Sequence, residues 1–189
     1  MLRNLLLVVL SVGLSPLLWC QVVGSAEEPA GHWYAGAEYS RLNPDYWTYP
    51  TIYMNGLSVY GGYTRFIRPH TGFGLEGTWR TLLDRNVGTR EEDSFLASGR
   101  YIFHCKRLSP FGKVGGGFGH FRSGNSAQPN PEPGQDGLHF IGAFGAGMDI
   151  RITRHVYVRP LEWEQQVWSF SPNTLAPHSY SFGAAWRFR

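Results

Sequence analysis

The chain has 189 residues and a formal net charge of only +3, from 17 Lys or Arg and 14 Asp or Glu. The basic residues form no run, so the charge pattern excludes the basic patch that binds nucleic acid. Aromatic residues make up 15% of the chain and glycine occurs 24 times, a composition typical of closely packed β-strands with aromatic belts.

The N-terminal segment is predicted to be an export signal and not part of the fold. Arg3 precedes an apolar run over residues 5–19, and small residues follow at 24–26. A positive residue, an apolar stretch and small residues in that order are typical of a cleaved secretory signal. We therefore predict a signal peptide at 1–26 and a mature domain at 27–189.

Two other interpretations of this segment are less favoured. A membrane-anchor helix would need about 20 consecutive apolar residues, but Gly13 and Pro16 interrupt the run. A lipoprotein signal ending at Cys20 would need a small residue where Trp19 stands. Cleavage after the small residues is the preferred interpretation.

The mature chain shows a two-residue alternation of apolar and polar side chains and no helical period. Alternate residues of a strand face opposite sides of a sheet, so this pattern predicts strands. In the third strand, Phe73 and Leu75 share one face while Glu76 and Arg80 share the other. Eight strands are predicted in chain order, at 32–42, 55–66, 71–82, 94–104, 111–122, 138–150, 156–168 and 179–189.

The alternation breaks once, in the seventh strand. Val158 follows the phase of the first half of the strand, whereas Leu161 and Trp163 take the opposite phase. Pro160 lies at the break, and proline has no backbone N–H to donate to a neighbouring strand. A β-bulge at this position would shift the phase and tolerate the proline.

The connections between the predicted strands alternate in length. Long loops are predicted at 43–54, 84–93, 123–137 and 169–178, and short turns at 68–70, 106–110 and 151–155. Such alternation is typical of outer-membrane barrels, whose strands need about 9–11 residues to cross a bilayer. We predict an all-β fold, an eight-stranded antiparallel up-and-down transmembrane β-barrel with both chain ends on the short-turn side.

One alternate face of the strands is apolar and the other carries nearly all of their charge. Alternation alone does not say which face points inward, and a soluble barrel would place the apolar face inside. The export signal and the aromatic residues near strand ends favour a membrane barrel with its apolar face toward lipid.

The charged face would then line a narrow interior, where opposite charges should meet in salt bridges. A gated path for small solutes is the alternative role of these charges. The residues predicted for this interior charge network are Glu38, Glu76, Arg80, Arg100, Lys113, Asp149, Arg159 and Arg187.

The last strand has the aromatic alternation Tyr180-x-Phe182-x-Ala184-x-Trp186-x-Phe188. This pattern resembles the terminal strand signal of bacterial outer-membrane proteins. The mature chain is similar in layout to the small eight-stranded outer-membrane β-barrels of the OmpA and OmpX type, and segments 110–117 and 158–162 are similar in style. The resemblance implies a location in the cell outer membrane and insertion by the outer-membrane assembly machinery. It implies no activity, because the fold serves several.

The expected function is that of a structural or weakly pore-forming barrel with a charged, side-chain-filled interior. We expect no enzyme activity and no cofactor, because the glycine run at 115–119 lacks the Lys-Ser/Thr of a phosphate loop and no spacing indicates a metal site. Outer-membrane lipids, lipopolysaccharide and the assembly machinery are the expected partners. No nucleic acid is expected, and a monomer is the expected state.

A surface adhesin or receptor is one alternative function. Such a barrel would bind through its long loops. The contact candidates are Tyr46, Trp47, Tyr49 and Tyr53, which would otherwise belong to the upper aromatic girdle.

A lipid-A-modifying enzyme is the other alternative. Such an enzyme would need Ser, His and an acid at its lipid-facing rim. His120, His178 and Ser179 lie near the predicted strand tops, but they form no transferable Ser-His-acid pattern.

Overall fold

The computed structural model describes residues 31–43, 53–68, 71–84, 90–123, 137–169 and 174–188. The predicted signal peptide lies outside these residues. Among them, no helix is long and apolar enough to span a bilayer. The strands found in these ranges are β1 (Gly31–Asn43), β2 (Met54–Arg68), β3 (Thr71–Asp84), β4 (Arg90–Phe103), β5 (Leu108–Ser123), β6 (Gly137–Arg151), β7 (Val156–Ser169), β8 (Thr174–Leu175) and β9 (His178–Phe188).

The strands form one antiparallel sheet that closes on itself. Each strand from β1 to β7 pairs with the next, and β9 lies between β7 and β1. Ala37 in β1 is therefore opposite both Val59 in β2 and Ala184 in β9. The two-residue β8 only extends the edge of β7, where Leu175 pairs with Trp168. The eight long strands thus confirm the predicted eight-stranded up-and-down barrel.

Large apolar side chains cover the outside of the barrel. Leu75 is 73% exposed and Val114 is 67% exposed, and aromatic residues such as Phe95 and Trp186 are also exposed. Charged residues at alternate positions are buried instead, as Glu76 illustrates. An apolar exterior around a polar interior suits a barrel whose solvent is lipid, and this confirms the apolar-out assignment.

The glycine run of β5 allows β4 and β5 to approach closely on the inner face. A Cβ atom at Gly115 would overlap the backbone carbonyl of Ala97, and one at Gly117 would overlap that of Phe95. These two glycines therefore serve packing in a narrow barrel and not phosphate binding.

The predicted bulge is present in β7. The register of β7 against β9 shifts between Arg159 and Glu162. Pro160 and Leu161 are both exposed, whereas Arg159 and Glu162 are both buried. The bulge therefore turns two side chains three positions apart into the same interior.

The structure differs from the prediction at three connections. β4 begins at Arg90, inside the predicted loop 84–93. The second short turn is tighter than expected, because Cys105 and Leu108 exchange backbone hydrogen bonds of 2.7 and 2.8 Å. Lys106 takes the left-handed backbone conformation within that turn, with φ of 56°. β8 lies inside the predicted loop 169–178. It was not predicted because a strand of only two residues shows no alternation that a sequence pattern could reveal.

Candidate functional site: the barrel interior

Arg159 is the centre of a charged layer at mid-height in the barrel. Its guanidinium lies 2.8 Å from Asp149 Oδ1, 3.1 Å from Glu76 Oε2 and 2.6 Å from Glu162 Oε2. Glu38 Oε2 lies farther away, at 3.7 Å. One cation therefore joins carboxylates from four strands, β1, β3, β6 and β7 itself.

Arg100 lies beside Arg159 and shares two of its acids. Its guanidinium donates to Glu76 Oε2 and to Asp149 Oδ2, each at 2.9 Å. It also donates to the Tyr34 hydroxyl at 2.7 Å, and that hydroxyl donates to Glu76 at 3.0 Å. The Phe111 ring lies 3.8 Å below the Arg100 guanidinium. The pair is thus fixed by both charge and aromatic packing.

Lys113 and Arg80 extend the layer to the acids of β7. Lys113 Nζ contacts Glu162, and it lies 2.6 Å from Glu164 Oε2. Arg80 Nη1 donates to Glu164 Oε1 at 3.0 Å, and its Nε donates to the Ser58 hydroxyl at 3.3 Å. These contacts make a continuous layer that reaches across the interior. We call it the charged layer.

An apolar cluster fills the interior between the charged layer and the long-loop end. Trp168 is its largest member, and its indole N–H donates to Gln166 at 2.7 Å. Leu175 of β8 packs against the cluster. We call this cluster the apolar plug, and its buried members are Leu42, Met54, Leu82, Leu96, Ile141, Ala143 and Trp168.

The short-turn end of the interior is polar and aromatic. His104 Nδ1 lies 2.8 Å from the Ser109 hydroxyl, and Arg187 donates to the Tyr157 hydroxyl at 2.7 Å. His32 stacks on Phe66 with ring centroids 5.9 Å apart. The cavity at this end has a volume of about 40 Å³, which is room for only a few water molecules, each needing about 10–15 Å³.

All eight residues predicted for the interior charge network point into the barrel. Seven of them lie in the charged layer, whereas Arg187 lies below it, near the short turns. The network also contains two acids that the sequence analysis did not name, Glu162 and Glu164. The phase change at Pro160 was the signal that could have revealed them, because it turns both residues inward.

A third missed acid, Glu92, is buried near the apolar plug and only 1% exposed. It lies in the segment 84–93 that was predicted to be a solvated loop. β4 begins four residues earlier than predicted, at Arg90, so Glu92 shares the inward phase of Ser94 and Leu96.

The loop contact candidates lie mostly outside the described residues, which include Tyr53 but not Tyr46, Trp47 or Tyr49. Tyr53 is 39% exposed at the long-loop end. The Arg41 guanidinium lies 4.1 Å from the centre of its ring. Tyr53 therefore lies at an exposed rim, as either a contact residue or a girdle residue would.

The enzyme candidates do not assemble into a site within the described residues. Ser179 is fully buried inside the barrel and does not face lipid. The His178 ring packs edge-on against Tyr180 at 6.0 Å. In the same ranges, no three His, Cys, Asp or Glu side chains are grouped to hold a metal ion.

Comparison with known proteins identifies the kind of barrel. A family model described as "Outer membrane protein beta-barrel domain" matches residues 6–188. No curated protein matched the chain.

Solved structures with a similar fold include three bacterial proteins. The attachment invasion locus protein Ail of Yersinia pestis is 15% identical with a TM-score of 0.52, and the alignment covers 84% of this chain and 97% of Ail. Neisserial surface protein A is 13% identical with a TM-score of 0.53, and the alignment covers 84% of this chain and 96% of that protein. The N-terminal barrel domain of Pseudomonas aeruginosa OprF is 14% identical with a TM-score of 0.51, and the alignment covers 84% of this chain and 99% of that domain. At these identities the likeness concerns the fold alone.

Proposed function

Since the chain belongs to the outer membrane protein β-barrel domain family, we propose that it is a structural, non-conducting barrel of the outer membrane. The observation that carries this proposal is the double occlusion of the interior. The charged layer crosses the interior at mid-height, and the apolar plug fills the space above it.

The two obstacles resist a passing ion for different physical reasons. A hydrophobic constriction excludes water, so an ion at the apolar plug would lose its hydration shell. The charged layer would have to break pairs such as Arg80–Glu164, whose side chains are 1% exposed. Removing one partner from a buried pair costs about 3–5 kcal/mol. Of the two expected roles, structural and weakly pore-forming, this geometry favours the structural one.

Conductance in planar bilayers tests the proposal. We expect the refolded barrel to show no discrete current steps, because neither obstacle opens without breaking buried contacts. An open porin in the same bilayer is the positive control, and a heat-dependent gel shift of the sample shows that the barrel is folded. Reproducible current steps from the folded barrel would contradict a structural role and favour the pore-forming one.

The cellular setting belongs to the same proposal. Residues 1–26 direct export and are then removed, and the assembly machinery inserts the barrel as a monomer. The exposed apolar belt then contacts phospholipid and lipopolysaccharide. The protein is not an enzyme and needs no cofactor. The buried position of Ser179 supports this part of the proposal.

A further inference from the structure

Among Asp, Glu, Lys and Arg, the three short turns of the barrel carry only the positively charged residues. The turns and the strand ends beside them, at 65–71, 103–109 and 151–157, contain no Asp or Glu. The long-loop segment 84–93 contains four acids and two arginines. We call the short-turn residues the basic rim, and they are Arg65, Arg68, Lys106, Arg107, Arg151 and Arg154.

The basic rim is accessible and continuous between neighbouring turns. All of its members except Arg151 are exposed, and Arg151 is half-buried. The Arg151 N–H donates to the Arg107 carbonyl at 2.8 Å, so two of the turns lie in contact. Lys106 lies beside Arg107 in the tighter turn. At least four cations are therefore gathered along one stretch of the barrel's edge.

An apolar groove lies on the outer face of β2 to β6, above these turns. Its volume is about 680 Å³. Its floor contains Gly99 and Gly112, and we call it the glycine groove. Large side chains form its walls, namely Tyr63, Phe73, Leu75, Tyr101, Val114 and Phe144.

The two floor glycines leave space that the protein does not fill. A Cβ atom at Gly99 would have only the Val114 carbonyl within 4 Å, at 3.9 Å, and one at Gly112 would have only the Gly145 carbonyl, also at 3.9 Å. Their outward neighbours in the sheet are larger, because Gly99 is opposite Leu75 and Gly112 is opposite Tyr101. The depression is thus a feature of the lipid-facing surface and not a packing requirement.

The groove and the rim lie at different depths of the membrane. Tyr101 precedes the turn residue Cys105 by four residues, which is about 13 Å along a strand. The hydrocarbon core of a bilayer is about 30 Å thick. The groove is therefore at the depth of acyl chains in the leaflet nearest the short turns, and the basic rim is at the depth of their headgroups.

We propose that the glycine groove and the basic rim together bind an anionic phospholipid of that leaflet. An acyl chain occupies the groove, and the phosphate lies against Lys106 and Arg107. A zwitterionic lipid also carries a phosphate, but its own ammonium group offsets that charge and weakens its attraction to Lys106 and Arg107. An acidic protein would not reach a groove at chain depth. Basic clusters beside membrane-spanning segments are known to recognise anionic headgroups. The proposal rests on the membrane-spanning barrel proposed above.

Native mass spectrometry of the detergent-solubilised barrel tests this site with two probes. The probes are phosphatidylglycerol and phosphatidylcholine with identical acyl chains. We expect the wild type to retain phosphatidylglycerol preferentially. The double change Lys106→Gln and Arg107→Gln should weaken that retention about fivefold for each charge removed. The double change Gly99→Leu and Gly112→Leu fills the groove and should lower retention of both lipids.

Two control variants distinguish the loss of this site from a general effect of a lost charge or of added bulk. Arg41→Gln removes an exposed charge at the opposite end of the barrel. Gly77→Leu with Gly142→Leu adds bulk at two other outward glycines, where a Cβ atom meets nothing closer than 3.9 Å. Neither control should change lipid retention.

Equal retention of the two lipids by the wild type would overturn the proposal, and so would equal effects of the groove variant and its control. If the Lys106→Gln, Arg107→Gln variant still retained phosphatidylglycerol preferentially, the lipid would bind at another surface and the proposal would be wrong. Capture of acidic proteins without lipid selectivity would assign the basic rim to a protein partner instead. Conductance is measured separately, so current steps would refute the structural role without affecting the lipid result.

Discussion

Arg159 shows at the scale of one residue why the interior holds together. It is 1% exposed and contacts four carboxylates, and its guanidinium also lies 4.1 Å from the centre of the Tyr60 ring. A buried cation with fewer partners would be expensive, because several kcal/mol of hydration are lost. Each of the four carboxylates in turn depends on this guanidinium to offset part of the hydration that it loses on burial.

Replacing Arg159 by Met should therefore destabilise the barrel strongly. The change keeps an unbranched side chain but leaves Glu76, Asp149 and Glu162 without their shared cation. We expect a loss of about 3–5 kcal/mol in the free energy of unfolding, measured by urea titration of the refolded barrel in detergent. Arg68→Met is the matched control, because Arg68 is exposed, and it should change stability by less than about 0.5 kcal/mol. A loss at Arg159 no larger than the control would show that the network contributes little.

Alternation predicts which charges point inward, but not which of them pair. Glu76 and Arg80 could be placed on one face because they are four positions apart in a single strand. The bond between Arg80 and Glu164 joins residues 84 positions apart, and it depends on how the closed barrel brings β3 opposite β7. No local pattern contains that information.

At the scale of one element, β7 shows how a bulge changes the chemistry of the interior. Without the bulge, strict alternation over the same residues would turn Glu162 and Glu164 toward lipid. With it, both enter the charged layer, and Glu162 lies next to Arg159 of the same strand. Proline suits the position because the bulge leaves its missing N–H without consequence for the ladder.

Deleting Trp163 should prevent the barrel from forming. The deletion falls where alternation is strict, so Glu164 and Gln166 would move to the outer face and meet hydrocarbon. We expect no folded, heat-sensitive band on a denaturing gel after refolding into detergent. Deletion of Leu161 is the matched control, because Pro160 and Leu161 both face outward and the loss of one keeps the later residues of β7 in phase. The control should still give the folded band, and a Trp163 deletion that folds equally well would show that the strand re-registers around the missing residue.

Strand positions could be read from the sequence to within a few residues, and the bulge could be predicted from one proline and one change of phase. The apolar plug could not. Leu42, Leu82 and Leu96 have the inward phase, but the sequence analysis assigned the inner face to charge. The outcome differs because the charged layer occupies only mid-height, and the space above it is closed by aliphatic residues and Trp168.

At the scale of the whole molecule, each of the eight long strands is hydrogen-bonded on both sides. This closure leaves no open edge in the membrane, which is the condition for a sheet to exist there. The contacts that close it are distant in sequence, since β1 pairs with β9. Such a structure should unfold as one unit.

Heat-dependent migration on a denaturing gel tests whether the barrel unfolds as one unit. We expect the unheated barrel to migrate differently from the boiled chain, because detergent alone does not open a closed sheet. Identical migration, combined with solubility without detergent, would contradict a membrane barrel. The Arg159→Met variant should lose its compact band at a lower temperature than the wild type.

The one-sided charge of the short turns has a consequence for the direction of insertion. A barrel that enters from the periplasm must carry its long loops through the hydrocarbon, while the short turns stay on the side of entry. The six cations of the basic rim have no acid in their own turns. Each would face a translocation barrier of about 2.5–3.5 kcal/mol at the bilayer centre. For insertion from the periplasm, as proposed above, the end that does not cross is the end that carries the unbalanced charge, so the charge distribution opposes the inverted topology.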